Sequence, residues 1–210
     1  MFETFKLFWK VISKPNETFQ HIRERKPLYA TVTYLFIFGA VSYFSFYASL
    51  EYLLSSKAAE NSAIIMEFQK EFSSIFSNYV FSPLVAVLLI ISPFIFTFLT
   101  VGIFSLVGEF ITKRSDGIAL FISFTFASVP SLISKLINTF MMNFLGFGMS
   151  YLFTVLFLIW GIMLYILAIE KVFGVNRRVA LGIFFIPIII IVPIVLLYSS
   201  YLLGIISPLL

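Results

Sequence analysis

Apolar positions fall into long runs separated by short charged or polar stretches. No charge occurs from Pro27 to Leu50, and none from Phe72 to Gly108. A helix needs about 20 mainly apolar residues to cross a hydrocarbon core of about 30 Å. By that rule the predicted spans are 28–54, 83–108, 117–134, 148–169 and 179–203. The runs are continuous and do not alternate with period two, which argues against barrel strands. The expected fold class is all-α, a polytopic bundle of five transmembrane helices.

Two segments are patterned differently. From 61 to 80, Ile64, Ile65, Phe68, Phe72, Ile75 and Phe76 recur at helical spacing with Glu67, Lys70 and Glu71 between them. This predicts an amphipathic helix on the outer surface. Residues 1–26 read as two short amphipathic helices. In the first, Phe2, Phe5, Phe8, Trp9 and Ile12 share a face, with Glu3, Lys6, Lys10 and Ser13 opposite. Pro15 opens the second, because proline fits a first helical turn and breaks an interior. Phe19 and Ile22 are its apolar contacts.

Composition narrows the function classes. The chain is 60% hydrophobic and 11% charged, with a mean hydropathy of +1.05. Soluble domains carry roughly 25% charged residues, so a soluble enzyme is excluded. The chain has no Cys and one His, His21, in the polar N-terminal segment. Thiol chemistry, Cys-based metal sites and an intramembrane Ser-His-Asp triad therefore lack their residues. No P-loop, H-E-x-x-H or nucleophile elbow is present. No catalytic, cofactor-binding or metal-binding residue and no nucleic-acid partner are expected.

Sorting Lys and Arg by loop gives the orientation. Eleven fall in the N-terminal segment and the two loops on its side: Lys6, Lys10, Lys14, Arg23, Arg25, Lys26, Lys113, Arg114, Lys171, Arg177 and Arg178. Three fall opposite: Lys57, Lys70 and Lys135. Basic loops stay in the cytoplasm, so the N-terminus is expected inside and the C-terminus outside.

Three groups are candidates for function. Trp9, Lys10, Lys14, Arg23, Arg25 and Lys26 form a basic, amphipathic surface suited to anionic lipid headgroups or to a partner protein. Ala119, Ser123, Ala127 and Ser131 are small residues four apart, which let helix backbones approach closely. Lys135, near the outer end of the third span, and Glu109 and Glu170, at the inner ends of the second and fourth, are the candidate polar pathway. The simpler reading of Lys135 is a snorkelling side chain. The simpler reading of the two glutamates is interfacial pairing with Lys113, Arg114 and Lys171.

Four stretches carry a resemblance. They are Ser13-Lys14-Pro15-Asn16-Glu17-Thr18-Phe19, Phe124-Thr125-Phe126-Ala127-Ser128-Val129-Pro130, Ile169-Glu170-Lys171-Val172-Phe173-Gly174-Val175 and Arg177-Arg178-Val179-Ala180-Leu181. In this order the chain resembles the Yip (Ypt-interacting protein) domain superfamily, in its prokaryotic branch. The resemblance implies five helices, a cytoplasmic N-terminus and a lumenal or external C-terminus. It also implies membrane trafficking and Rab-type GTPase partners for eukaryotic members. This chain has a short basic segment where those members carry a long acidic one, so a Rab-type GTPase enters by analogy alone.

The resulting expectation is a non-enzymatic scaffold that organises membrane or binds a partner. It would sit in the anionic bilayer of a prokaryotic plasma membrane, or in endoplasmic reticulum or Golgi if eukaryotic, and could form a homo-oligomer. The alternative is a small-solute transporter or channel acting as an oligomer. The Cys-free chain makes orientation directly testable. In intact cells, a membrane-impermeant thiol reagent should label Ser207→Cys and leave Arg177→Cys unlabelled; the opposite pattern reverses the topology.

Overall fold

A computed structural model describes residues 2–54, 83–114 and 116–206. The expected outer helix at 61–80 lies outside the described residues. Seven helices are described: α1 (Phe2–Ser13), α2 (Pro15–Arg25), α3 (Leu28–Leu54), α4 (Pro83–Thr112), α5 (Gly117–Ala127), α6 (Val129–Phe173) and α7 (Arg177–Ile206). No strand occurs among the described residues. Five helical stretches are long and apolar enough to cross a membrane: Leu28–Leu50, Pro83–Thr112, Gly117–Phe140, Tyr151–Phe173 and Arg177–Ser199.

Helix α6 contains the return from the third span to the fourth. Asn138 Nδ2 donates to Thr154 Oγ1 at 2.6 Å. Sixteen residues of straight helix would hold these groups about 24 Å apart. The chain therefore reverses between them. The rings of Phe124 and Tyr165, 4.9 Å apart, show the two spans running antiparallel.

The third span is the axis of the bundle. Two-thirds of it, 67%, is buried, against 11–28% for the other four. From Ala119 to Ala127 every residue but Phe121 is buried. Lipid-facing spans need only one packed stripe, but a helix covered on all sides must be apolar or small all round. Asp116 caps α5 by accepting from the Ala119 N–H at 3.1 Å. Ser128 interrupts the span, two residues before Pro130, whose ring nitrogen has no hydrogen to donate. The Ser128 hydroxyl donates to the Thr125 carbonyl at 2.7 Å. It thereby supplies a side-chain bond where the regular ladder is broken.

Aromatic rings tie this axis to its neighbours. Phe104 of α4 meets Phe124 at 5.3 Å and stacks on Phe184 of α7 at 5.7 Å. Tyr34 of α3 lies 5.3 Å from Phe126. Its hydroxyl is 3.2 Å from Ser128 Oγ. Ser128 spends its hydrogen on Thr125, so Tyr34 is the donor of that pair.

A close helix approach lies between α3 and α4. A Cβ built on Gly39 of α3 would overlap the backbone carbonyl of Ile90 in α4. At Gly102, Gly161 and Gly182 a Cβ would meet nothing within 4 Å. Backbone cannot give way as a side-chain tip can, so Gly39→Ala should cost about 1–3 kcal/mol. Gly102→Ala should be neutral or stabilising, because alanine favours helix by about 1 kcal/mol. Thermal melts of both variants in one detergent check this. Equal melting temperatures would show that α3 and α4 do not meet at Gly39.

Candidate functional site

Two places gather polar side chains: the basic end of the bundle, and a cavity among the spans.

At the basic end α1 and α2 fold back under the spans. Helix α1 buries Thr4, Leu7 and Val11. Thr4 Oγ1 reaches the Ala30 carbonyl at 3.5 Å. The apolar face expected from the sequence is thus divided. Phe8 and Ile12 are partly buried, whereas Phe2, Phe5 and Trp9 are 88%, 66% and 67% exposed. Helix α2 buries Thr18, Phe19 and Ile22 against the bundle. It ends at Lys26, which adopts the left-handed conformation (φ 46°) and returns its N–H to the Ile22 carbonyl.

The six basic-surface candidates then separate. Lys26 pairs with Asp116 at 2.9 Å. The Arg23 guanidinium donates to the Lys171 carbonyl at 3.1 Å. Alongside them Arg114 reaches the Phe173 carbonyl at 3.4 Å. These arginines satisfy the free carbonyls that end α6, so Arg23 and Lys26 are ties between α2 and the bundle. Lys14 makes an exposed pair with Glu17 at 3.4 Å. Trp9, Lys10 and Arg25 are exposed. Lys10 and Arg25 line an open groove of about 570 Å³ between α1 and α2, with Lys6 and His21 beside them. The sequence reading missed His21 and Lys6 as members of this site, because the groove forms only when α1, which carries Lys6 and Lys10, packs beside α2, which carries His21 and Arg25.

The small-residue candidates divide between the packed axis and the cavity. Ala119, Ser123 and Ala127 are fully buried. Ser131 lies beyond the break at Ser128 and faces the inner cavity. The Ser123 hydroxyl is buried with no hydrogen-bond partner among the described residues.

The polar-pathway candidates are also not together. Glu170 pairs with Lys171 at 2.9 Å at the basic end, and Glu109 is exposed near that end. Lys135 is not a terminal lysine. Its helix continues to Phe140, and its Nζ donates to Ser42 Oγ at 2.8 Å. The ammonium also stands 5.0 Å from the Phe38 ring centroid. Ser42 lies about 21 Å along α3 from Leu28 at 1.5 Å per residue, well inside the span. Snorkelling to the near interface does not describe this geometry, because the side chain is turned inward across a helix contact.

Lys135 lines a cavity of about 400 Å³ between α3, α4, α5 and α6, with Ser42, Ser92, Thr97, Ser128 and Ser131. Next to it, Thr139 Oγ1 and Ser45 Oγ are 2.9 Å apart. Ser42 and Ser45 give no signal in a sequence where four of the five spans contain serine. Only the packing of α3 on α6 selects them.

Three comparisons bear on this arrangement. No curated protein matches the chain, and no solved structure does. A Yip1 domain family model matches residues 9–204, nearly the whole chain, from Trp9 in α1 to Gly204 in α7. With five membrane-length helices and this match, the protein is a multi-pass membrane protein that belongs to the Yip1 domain family.

Proposed function

We propose that the protein is a non-enzymatic, membrane-organising scaffold whose basic end faces the cytoplasm and grips anionic lipid headgroups, in a prokaryotic plasma membrane. One observation carries this reading: α1 is apolar on two sides. Thr4, Leu7 and Val11 are already used in docking to the bundle, yet Phe2, Phe5 and Trp9 remain exposed. Lys6, Lys10 and Arg25 flank them in the groove between α1 and α2. Exposed aromatics beside a basic groove match the two layers of a membrane interface, acyl boundary and anionic headgroup. Because α1 is held by its other side, the contact is presented rigidly, at a fixed height relative to the spans. A protein or GTPase partner would have to compete with that surface.

Trp9 is its own reporter once Trp160, the second of two tryptophans, is replaced by Phe. In nanodiscs, brominated phosphatidylglycerol should quench Trp9 more than brominated phosphatidylcholine does. Replacing Lys6, Lys10 and Arg25 by Gln should remove that preference, and high salt should weaken it. A preference that survives charge removal, or a Trp9 that neither lipid quenches, overturns the headgroup reading; the latter points to a protein partner on this face.

A second reading, transport of a small solute, is favoured by the hydroxyl-rich cavity around Lys135. It requires a water path. A membrane-impermeant thiol reagent should then label Ser131→Cys, in the cavity, and spare Ser123→Cys, in the packed axis. Without label at Ser131→Cys, and without solute flux in proteoliposomes of folded protein, the transport reading fails.

A further inference from the structure

Lys135 presents a chemical problem that the headgroup reading does not solve. An ammonium within a membrane span costs about 2.5–3.5 kcal/mol on insertion scales. Intramembrane charges are normally compensated by an opposite charge or by water. Here the described partners of Lys135 are neutral: the Ser42 hydroxyl and the face of Phe38. The carboxylates described within the spans, Glu109 and Glu170, stand at the basic end, and Glu170 is paired with Lys171. An ammonium has three N–H donors, and Ser42 accepts one of them.

The cavity beside Lys135 has the other half of a site. Its walls include Leu35, Leu89 and Phe124, and hydroxyls cluster near the ammonium, with Ser131 one helical turn below Lys135 on the same face. At about 400 Å³ it falls within the range of small-molecule sites. Two of its lining residues, Phe46 and Phe96, are 40% and 67% exposed on the outside of the bundle. A ligand can therefore enter from the lipid side, without an aqueous path.

We infer that this cavity binds a single-chain carboxylate amphiphile of the fatty-acid type, with the carboxylate on Lys135, Ser42 and Ser131 and the hydrocarbon chain along the apolar wall. One cation matches one negative charge. A phosphate monoester carries about 1.5–2 negative charges at neutral pH, and would leave the excess buried. A two-chain phospholipid brings a second chain and a headgroup that this space does not accommodate. The inference is independent of the basic groove between α1 and α2, which lies at the other end of the spans.

Native mass spectrometry of the full chain, released from a non-ionic detergent with palmitate as the probe, tests it. One palmitate per chain is expected, and methyl palmitate should not bind. Lys135→Met should weaken palmitate at least about tenfold, while Lys135→Arg retains it. Removing a membrane charge that has no counter-charge among the described residues should leave the melting temperature unchanged or raised, so the Met variant should fold. Should it not, Ser131→Leu keeps the charge but fills the cavity, and must also lose palmitate. Equal binding of the methyl ester, undiminished binding by either variant, or displacement of palmitate by inorganic phosphate overturns the inference. A phosphatidylglycerol adduct with the same Lys135 dependence also overturns it, in favour of a phospholipid. Trp9 quenching by anionic lipid should be the same in Lys135→Met, so failure here is separable from failure of the headgroup reading.

Discussion

The structure depends on the burial, deep in the bundle, of one stretch of transmembrane helix, Ala119–Ala127. In a bilayer the solvent is as apolar as leucine, so hydrophobicity alone does not bring helices together. Association rests on close packing and on polar contacts that lipid cannot supply. The stretch Ala119–Ala127 meets that requirement with small residues set among aliphatic side chains and aromatic rings, and α3, α4 and α6 pack against it. Ser128 and Pro130 then end the tight section. Past that break the third span is packed through hydroxyls and Lys135 instead of through rings.

The bundle therefore has two unlike halves. Towards the basic end, Phe104 packs on Phe124 and Phe184, Tyr34 packs on Phe126, and arginines from α2 and from the loop after α4 close the C-terminal end of α6. Towards the other end, Ser42, Ser45, Asn138, Thr139 and Thr154 make the interhelical contacts. Such hydrogen bonds average about 0.6 kcal/mol within membranes. The aromatic half is thus the better candidate for a rigid frame, and the polar half for a place where a ligand enters.

The phenylalanine content takes its meaning from this division. Of the 28 Phe, some do face outward, as Phe98 and Phe110 do. Others, including Phe19, Phe126 and Phe173, are fully buried. Phe173 lies on Gly108, where a Cβ would overlap its ring. A hydrophobicity count cannot distinguish these cases, because lipid-facing and protein-facing positions are equally apolar in a membrane.

What the sequence determined by itself was everything that follows from length, apolarity and chain order. Span number and helical class come from the hydrocarbon thickness and from the need to satisfy backbone groups within a segment. The start of α2 at Pro15 and its contacts through Phe19 and Ile22 were legible from local chemistry. What only the tertiary structure decided was which polar residues meet. Lys135 reads as an end residue when its helix is expected to stop at 134; it becomes an interior cation once the helix runs on and Ser42, 93 residues away in sequence, comes to 2.8 Å. Arg23 and Lys26 read as free charges until Lys171 and Asp116 arrive beside them. The physical reason is the same in each case. Membrane insertion selects segments one at a time by their own composition, whereas the pairing of side chains depends on how those segments rotate and tilt against each other.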